Sequence, residues 1–216
     1  MLLEKERNEI VSFGKKLIAA KLTVGTTGNL SILHPQEGMV AISPSGLDYF
    51  ETEPENVVVI DLDGNIREGT YRPSSESKLH LELYNSRPDI HSVIHTHSVY
   101  ATTIACLGWE IPALHYVIGL AGTKVPVAPY ATYGTKELAD SVSKTIAHYN
   151  AVLLANHGLI AVGPNIRSAF ATAEAIEFAA RVYYQSKCIG EPVILPDAEI
   201  ETVIEKFKNY GQIRVS

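Results

Sequence analysis

Residues 92–100, Ser-Val-Ile-His-Thr-His-Ser-Val-Tyr, set two imidazoles, His95 and His97, two positions apart behind the branched apolar pair Val93 and Ile94. In a helix, side chains at i and i+2 point to nearly opposite faces. On an extended strand they share one face and can converge on a single point, and the β-branched residues before them favour the strand. Two neutral imidazoles on one face suit a single metal ion, bound through ring nitrogens at about 2.0–2.1 Å. The same spacing also occurs as an exposed polar edge or as a hydrogen-bonded pair of core histidines. A metal reading therefore needs a third ligand and an acid–base group elsewhere in the chain.

The candidate third ligand is His157, in Leu-Leu-Ala-Asn-His-Gly. It follows a short apolar run and precedes a glycine, where the backbone can turn sharply and expose the ring. Three histidines leave a coordination position open, the arrangement of a catalytic rather than a structural zinc site. Three Ser/Thr/Gly-rich loops, residues 25–29 (GTTGN), 43–46 (SPSG) and 72–76 (RPSSE), are ordinary turn sequences taken singly. Together they could offer N–H groups and hydroxyls to a phosphate dianion, helped by the positive end of a helix beginning after Ser75. They contain no Walker lysine, so nucleotide binding is not expected. Glu76 follows the third loop as either a first-turn acid or a base near the metal. His34, His80, His91, His115 and His148 show no paired spacing and read as surface or structural, with His115 held open.

The elements that must position these groups follow from composition and pattern. The chain has 216 residues, 46% hydrophobic and 19% charged, with a net charge of −6. That is the composition of one globular domain over 1–216, without the basic stripe of a nucleic-acid binder. Cys106 and Cys188 are too few and too distant for a disulfide scaffold, and are expected to be reduced, buried small hydrophobes in a cytoplasmic protein. The N-terminus mixes charges into its apolar positions, unlike a signal peptide, and no run reaches membrane-spanning length.

Apolar spacing predicts a first helix over 2–22. β-type runs follow at 30–33, 39–43 and 57–61, with a hairpin signal at Asp63-Gly64-Asn65. A helix capped by Ser74 or Ser75 should end near Arg87-Pro88, before the histidine strand. Further on the pattern predicts a helix stopped at Gly108, a short strand in KVPVAPY, a helix over 134–148, a buried strand at 151–155, and helices over 165–188 and 196–209. Short connections between the early strands favour antiparallel pairing. The expected fold class is α/β: a three-layer α/β/α sandwich with a central, mostly antiparallel sheet.

The segments GTTGNLS, SPSG, PSSE, HTHSVYAT, IPALHYVI, APYATYGT, LLANHGLI and EKFKNYG, in this order along almost the whole chain, resemble the class II sugar-phosphate aldolase and epimerase family, most nearly its members that cleave L-fuculose 1-phosphate. The resemblance implies one Zn²⁺ per subunit held by His95, His97 and His157, with Glu76 as the catalytic glutamate that can also sit on the metal. It implies a phosphate pocket of Gly28, Asn29, Ser45, Gly46, Ser74 and Ser75. Tyr116 matches a proton donor reaching in from a neighbouring subunit of a homotetramer with sites at its interfaces. Tyr133 and Tyr210 match aromatic positions near the aldehyde, Tyr133 standing where the resembling aldolase carries Phe.

The implied reaction is the reversible cleavage of L-fuculose 1-phosphate, or a similar ketose 1-phosphate, to dihydroxyacetone phosphate and L-lactaldehyde through a metal-stabilised enediolate. The partners implied are a small sugar phosphate and copies of the same chain, with neither nucleic acid nor membrane. L-ribulose-5-phosphate 4-epimerase and methylthioribulose-1-phosphate dehydratase are the alternatives within the family, and a non-catalytic interaction module is the alternative outside catalysis. The Ser75-Glu76 pair and the LHYVIGLAG segment favour the aldolase over the epimerase, HYVI and the C-terminal tyrosine count against the dehydratase, and the retained histidines oppose the non-catalytic reading.

Overall fold

The computed structural model describes residues 1–209. Eight strands form one sheet in the order β4-β3-β2-β1-β5-β8-β7-β6. They are β1 (Asn29–His34), β2 (Met39–Ile42), β3 (Val58–Asp61), β4 (Ile66–Glu68), β5 (Ser92–Thr96), β6 (Val127–Ala128), β7 (Ala151–Leu154) and β8 (Gly158–Gly163). Every neighbouring pair is antiparallel except β6 with β7. Six α-helices, α1 (Glu4–Ala19), α2 (Ser77–Ser86), α3 (Val99–Cys106), α4 (Lys136–Ile146), α5 (Ile166–Ile189) and α6 (Asp197–Phe207), and two 3-10 turns, Pro54–Asn56 and Tyr116–Leu120, complete the elements of the described residues.

The alternation of strand side chains builds the three layers. Val40, Ile42, Val58, Ile60, Val93, Val152, Leu154, Ile160 and Val162 pack with Leu79 and Leu83 of α2 and Leu138 and Val142 of α4 on one face. Their neighbours in the chain, among them Ala41, Val59, Ile94, Ala161, Leu153 and Leu159, point the other way, toward α1, α3, α5 and α6. Both faces of β2, β7 and β8 are covered, so those strands read as continuous apolar runs in place of polar alternation, whereas β1 and β5 at the sheet centre carry Asn29, Ser31, Ser92 and His95 among their apolar residues.

Most expected elements are present with ends shifted by a few residues. The first helix spans Glu4–Ala19, short of the expected 2–22, and the second begins at Ser77 with Glu76 as its N-cap in place of Ser74 or Ser75. The reason is tertiary: Pro44 and Pro73 form a β-bridge, and Ser74 N–H donates to Ser43 O at 3.1 Å. Residues 72–74 are thereby extended against 43–45, and the helix can start only beyond them. Strand β8 is an addition to the expected elements, because Leu-Ile-Ala-Val directly after Asn-His-Gly has no turn signal of its own to separate it from the loop. The two cysteines are exposed, contrary to the buried positions expected. Cys106 is the last residue of α3 and Cys188 lies one residue before the end of α5, where helix ends turn outward. Tyr210 and Gly211 lie outside the described residues.

Candidate active site

The sheet centre brings the three histidines together. His95 is the penultimate residue of β5, and His97 follows the last, Thr96. β7 and β8 form a hairpin whose short loop, residues 155–157, carries His157, with Asn156 in the left-handed region at φ 55° to close the turn. Because β8 pairs with β5, His95 opposite Ile160 and Thr96 opposite Leu159, the loop lands beside the H-x-H segment. Two glycines make the approach possible. A Cβ on Gly158 would lie 2.3 Å from Thr96 O and 3.0 Å from the His97 ring, and one on Gly28, at φ 74°, would lie 2.7 Å from His95 O. The three rings stand edge to face with centroids 4.7–5.1 Å apart, and their ligand nitrogens all lie within 4.8 Å of one another.

The chemistry of the donors fits a cation. His95 is wholly buried, and its Nδ1 lies 3.0 Å from Leu159 O. A carbonyl only accepts, so Nδ1 carries the hydrogen and Nε2 presents a lone pair, the tautomer set by the partner of the other nitrogen. Burial lowers the His95 pKa to about 4 and also lowers that of His97, so both rings are neutral near pH 7. The His95 lone pair faces His97 Nε2 at 2.8 Å and Glu76 Oε2 at 3.2 Å. Glu76 Oε1 lies 3.6 Å from His157 Nε2 and is buried without a hydrogen-bond partner. Acceptors crowded on one point, with an orphaned carboxylate oxygen among them, match the donor set of a divalent metal.

Glu76 stands at the N-terminus of α2 and is almost fully buried. Burial by itself would raise its pKa, but His95, His157 and the Asn29 amide outweigh this and hold the carboxyl below its ordinary range. Asn29, opposite His95 across the β1–β5 pair, donates from Nδ2 to Glu76 Oε2 at 2.9 Å. One Nδ2 hydrogen of the amide remains for a ligand.

A cleft of about 340 Å³ opens over this cluster. Its walls are the three loops singled out in the sequence: Gly28 and Asn29 from the first, Ser45 and Gly46 from the second, Ser74, Ser75 and Glu76 from the third, with His97, His157 and Tyr133 completing it. The bridge between the second and third loops takes up the backbone N–H of Ser45 (to Arg72 O, 2.9 Å) and of Ser74, and the Ser74 hydroxyl accepts the Glu76 N–H at 3.3 Å. Gly46, at φ 71° with open space where a Cβ would stand, lets its loop turn over the cleft. Tyr133 is exposed, and Gly134 beside it packs close to Ser75 O.

Tyr116 is not among the cleft residues of its own chain. It begins a 3-10 turn, half exposed, with its ring stacked on His115. His115 itself accepts the Val117 N–H through Nδ1, a local capping role. His80, grouped in the sequence with the unpaired histidines, is fully buried and contacts Asn29. The signal that points to it is the recurrence Glu76, His80, Tyr84 at helical spacing next to Asn29 and Ser31 at strand spacing.

Comparison with known proteins agrees with this geometry. Residues 8–184 match the model of the Class II Aldolase and Adducin N-terminal domain. The chain is 57% identical over 212 residues to the 5-deoxy-D-ribulose 1-phosphate aldolase of Bacillus thuringiensis serovar kurstaki, covering 98% of this chain and 100% of that protein. It is 41% identical to the L-fuculose phosphate aldolase of Escherichia coli K12, covering 95% and 97%. A solved L-fuculose 1-phosphate aldolase superposes with a TM-score of 0.93 at 48% identity, over 94% of this chain and 96% of that one. Among the described residues no helix is long and apolar enough to cross a membrane. The chain belongs to the Class II Aldolase and Adducin N-terminal domain family, on its side of class II aldehyde-lyases.

Proposed function

We propose that the cleft catalyses the reversible retro-aldol cleavage of a methyl-terminated ketose 1-phosphate into dihydroxyacetone phosphate and a short aldehyde. The observation that carries this reading is Glu76: an ionised, nearly buried carboxylate with one unpartnered oxygen, set between three converging imidazoles and a floor of phosphate-compatible loops. The relative at 57% identity favours 5-deoxyribulose 1-phosphate, giving acetaldehyde, ahead of L-fuculose 1-phosphate, giving L-lactaldehyde.

A divalent cation, Zn²⁺ at one per subunit in this reading, would be held by His95, His97 and His157 and supplies Lewis acidity at the ketose oxygens. The remaining steps belong to the side chains. In synthesis Glu76 takes a proton from C3 of dihydroxyacetone phosphate, and in cleavage it returns that proton to C3 once the C3–C4 bond has broken. Gly28, Asn29, Ser45, Gly46, Ser74 and Ser75 hold the phosphate, which fixes C3 against the carboxylate and removes most of the positional freedom of the substrate. Tyr116 serves the cleft of a neighbouring chain in a homotetramer as proton donor to the aldehyde oxygen, in keeping with its exposure and its absence from the lining of its own cleft. Tyr133, in the cleft wall, borders the aldehyde end, and the resemblance gives Tyr210, outside the described residues, the same part.

The test is a panel of 5-deoxyribulose 1-phosphate, L-fuculose 1-phosphate and L-rhamnulose 1-phosphate assayed for dihydroxyacetone phosphate release, beside L-ribulose 5-phosphate assayed for epimerisation. Fastest cleavage of 5-deoxyribulose 1-phosphate is expected. Faster epimerisation than any cleavage would overturn the reading.

A further inference from the structure

Helix α2 and strand β1 meet along a polar seam. Glu76, His80 and Tyr84 recur every four residues on the helix side, and Asn29 and Ser31 alternate on the facing side of the strand. Four helical residues advance about 6 Å, and two strand residues advance about 6.6–6.8 Å. The rows therefore keep step, and the groups interleave as Glu76, Asn29, His80, Ser31, Tyr84. Asn29 Nδ2 lies 2.9 Å from Glu76 Oε2, and His80 Nε2 lies 2.6 Å from Asn29 Oδ1. Ser31 Oγ lies 2.6 Å from both His80 Nδ1 and Tyr84 OH.

The direction of each bond follows from what each atom can do. An ionised carboxylate only accepts, so the Asn29 atom facing it is the amide nitrogen, and Oδ1 faces His80. His80 Nε2 must then donate. Complete burial lowers the His80 pKa to about 3, so the ring is neutral and Nδ1 is an acceptor. The Ser31 hydroxyl donates to it, and Tyr84 donates to Ser31. Every bond in the seam points one way, toward Oε2 of Glu76. An amide turned end for end would set Oδ1 against the carboxylate, acceptor against acceptor.

We propose that His80 is a positioning residue for Glu76: its Nε2–H holds the Asn29 amide in the orientation that presents an N–H to Oε2, and so leaves Oε1 as the oxygen that exchanges the substrate proton. This rests on the reading of Glu76 as the proton-transfer group.

Three variants of the metal-loaded, full-length enzyme test it. His80→Leu removes both ring nitrogens at similar bulk, and His80→Gln keeps an N–H at the outer end of the side chain. Val142→Ala opens the core between α2 and α4 without touching the seam. His80→Leu should lower kcat about 10–100-fold, the usual cost of losing the partner that orients a working group, with KM and metal content unchanged. His80→Gln should recover most of the loss. Val142→Ala should lower the thermal midpoint and leave kcat as it was. An undiminished kcat in His80→Leu, a loss that Val142→Ala reproduces at equal stability, or no recovery in His80→Gln would overturn the proposal.

A second measurement does not depend on turnover. Long-range ¹H–¹⁵N spectra of histidine-labelled wild-type protein should show His80 neutral with its hydrogen on Nε2. A hydrogen on Nδ1 rejects the proposal, whether or not His80→Leu folds. The failures are distinguishable: an active wild type with the wrong tautomer rejects the positioning role alone, whereas a wild type that cleaves no ketose phosphate rejects the reading of Glu76 and the proposal with it.

Discussion

The sheet is packed by helices in two different ways. Where α5 crosses β5 and β8, it offers Ala169, Ala173, Ile176, Ala179 and Ala180 to Ile94, Leu159 and Ala161, an apolar seam of mostly small residues. Where α2 crosses β1, beside the aliphatic contacts of Leu79 and Leu83, the seam is Glu76, His80 and Tyr84 against Asn29 and Ser31. Apolar burial is non-directional and tolerates small shifts. Hydrogen bonds tolerate little misalignment, and a buried polar group without a partner costs roughly 1–3 kcal/mol. The α5 seam therefore holds the fold together, and the α2 seam fixes a register. The α2 seam ends on Glu76, whose Oε1 is left without a partner at the histidine cluster.

If that division is right, the largest effect comes from the cluster into which the polar seam opens. His97→Ala leaves two imidazoles, so divalent metal should be lost along with activity, to background. Metal analysis of the purified variant beside the cleavage assay decides it, and a variant with full metal content and normal rate would remove His97 from the site. Next in size, Glu76→Gln should lower kcat by about 10²–10⁴-fold, because an amide cannot accept the proton. Exchange of the C3 proton of dihydroxyacetone phosphate with solvent isolates that step, and unchanged exchange would assign the base elsewhere.

The apolar seam should answer in stability instead. Ile176→Ala empties a fully buried position and should cost about 2–5 kcal/mol in urea unfolding, with kcat of the folded enzyme unchanged. A large kcat loss there would show that the two seams are not separable.

The smallest effect is a pH dependence of the metal-free protein. The folded pKa values of His80, about 3, and His95, about 4, lie below the ordinary 6.5, and that of His97 is lowered too, so below pH 6.5 the unfolded chain binds protons that the folded chain refuses. The stability is fully present above 6.5 and declines toward pH 3. Glu76, held below its ordinary value, acts with the same sign at the acid end. A thermal midpoint independent of pH between 6.5 and 4 would mean that these buried imidazoles are protonated in the fold.

Much of the site is legible in the amino-acid sequence. His95 and His97 declare themselves by strand spacing, His157 by its place between an apolar run and a glycine, and the three loops by their Ser, Thr and Gly content. These are local signals, written within a few residues of chain. The N-cap of α2 escapes them because the bridge between Pro44 and Pro73, 29 residues apart in the chain, decides where the helix can begin. Strand β8 escapes them because its partner β5 lies more than 60 residues upstream. The exposure of Cys106 and Cys188 likewise depends on which helix ends reach the surface.

The sequence by itself determined the residue types, their faces and the order of the elements, because side-chain periods of two and 3.6 and the chemistry of imidazole, carboxylate and hydroxyl are properties of short segments. Only the tertiary structure decided that His80 is joined to Glu76 through Asn29. That link exists because α2 lies on β1 with the helical step of about 6 Å matched to the strand step of about 6.6–6.8 Å. No window of sequence contains both rows, and the docking that aligns them is set by the aliphatic packing of the whole face.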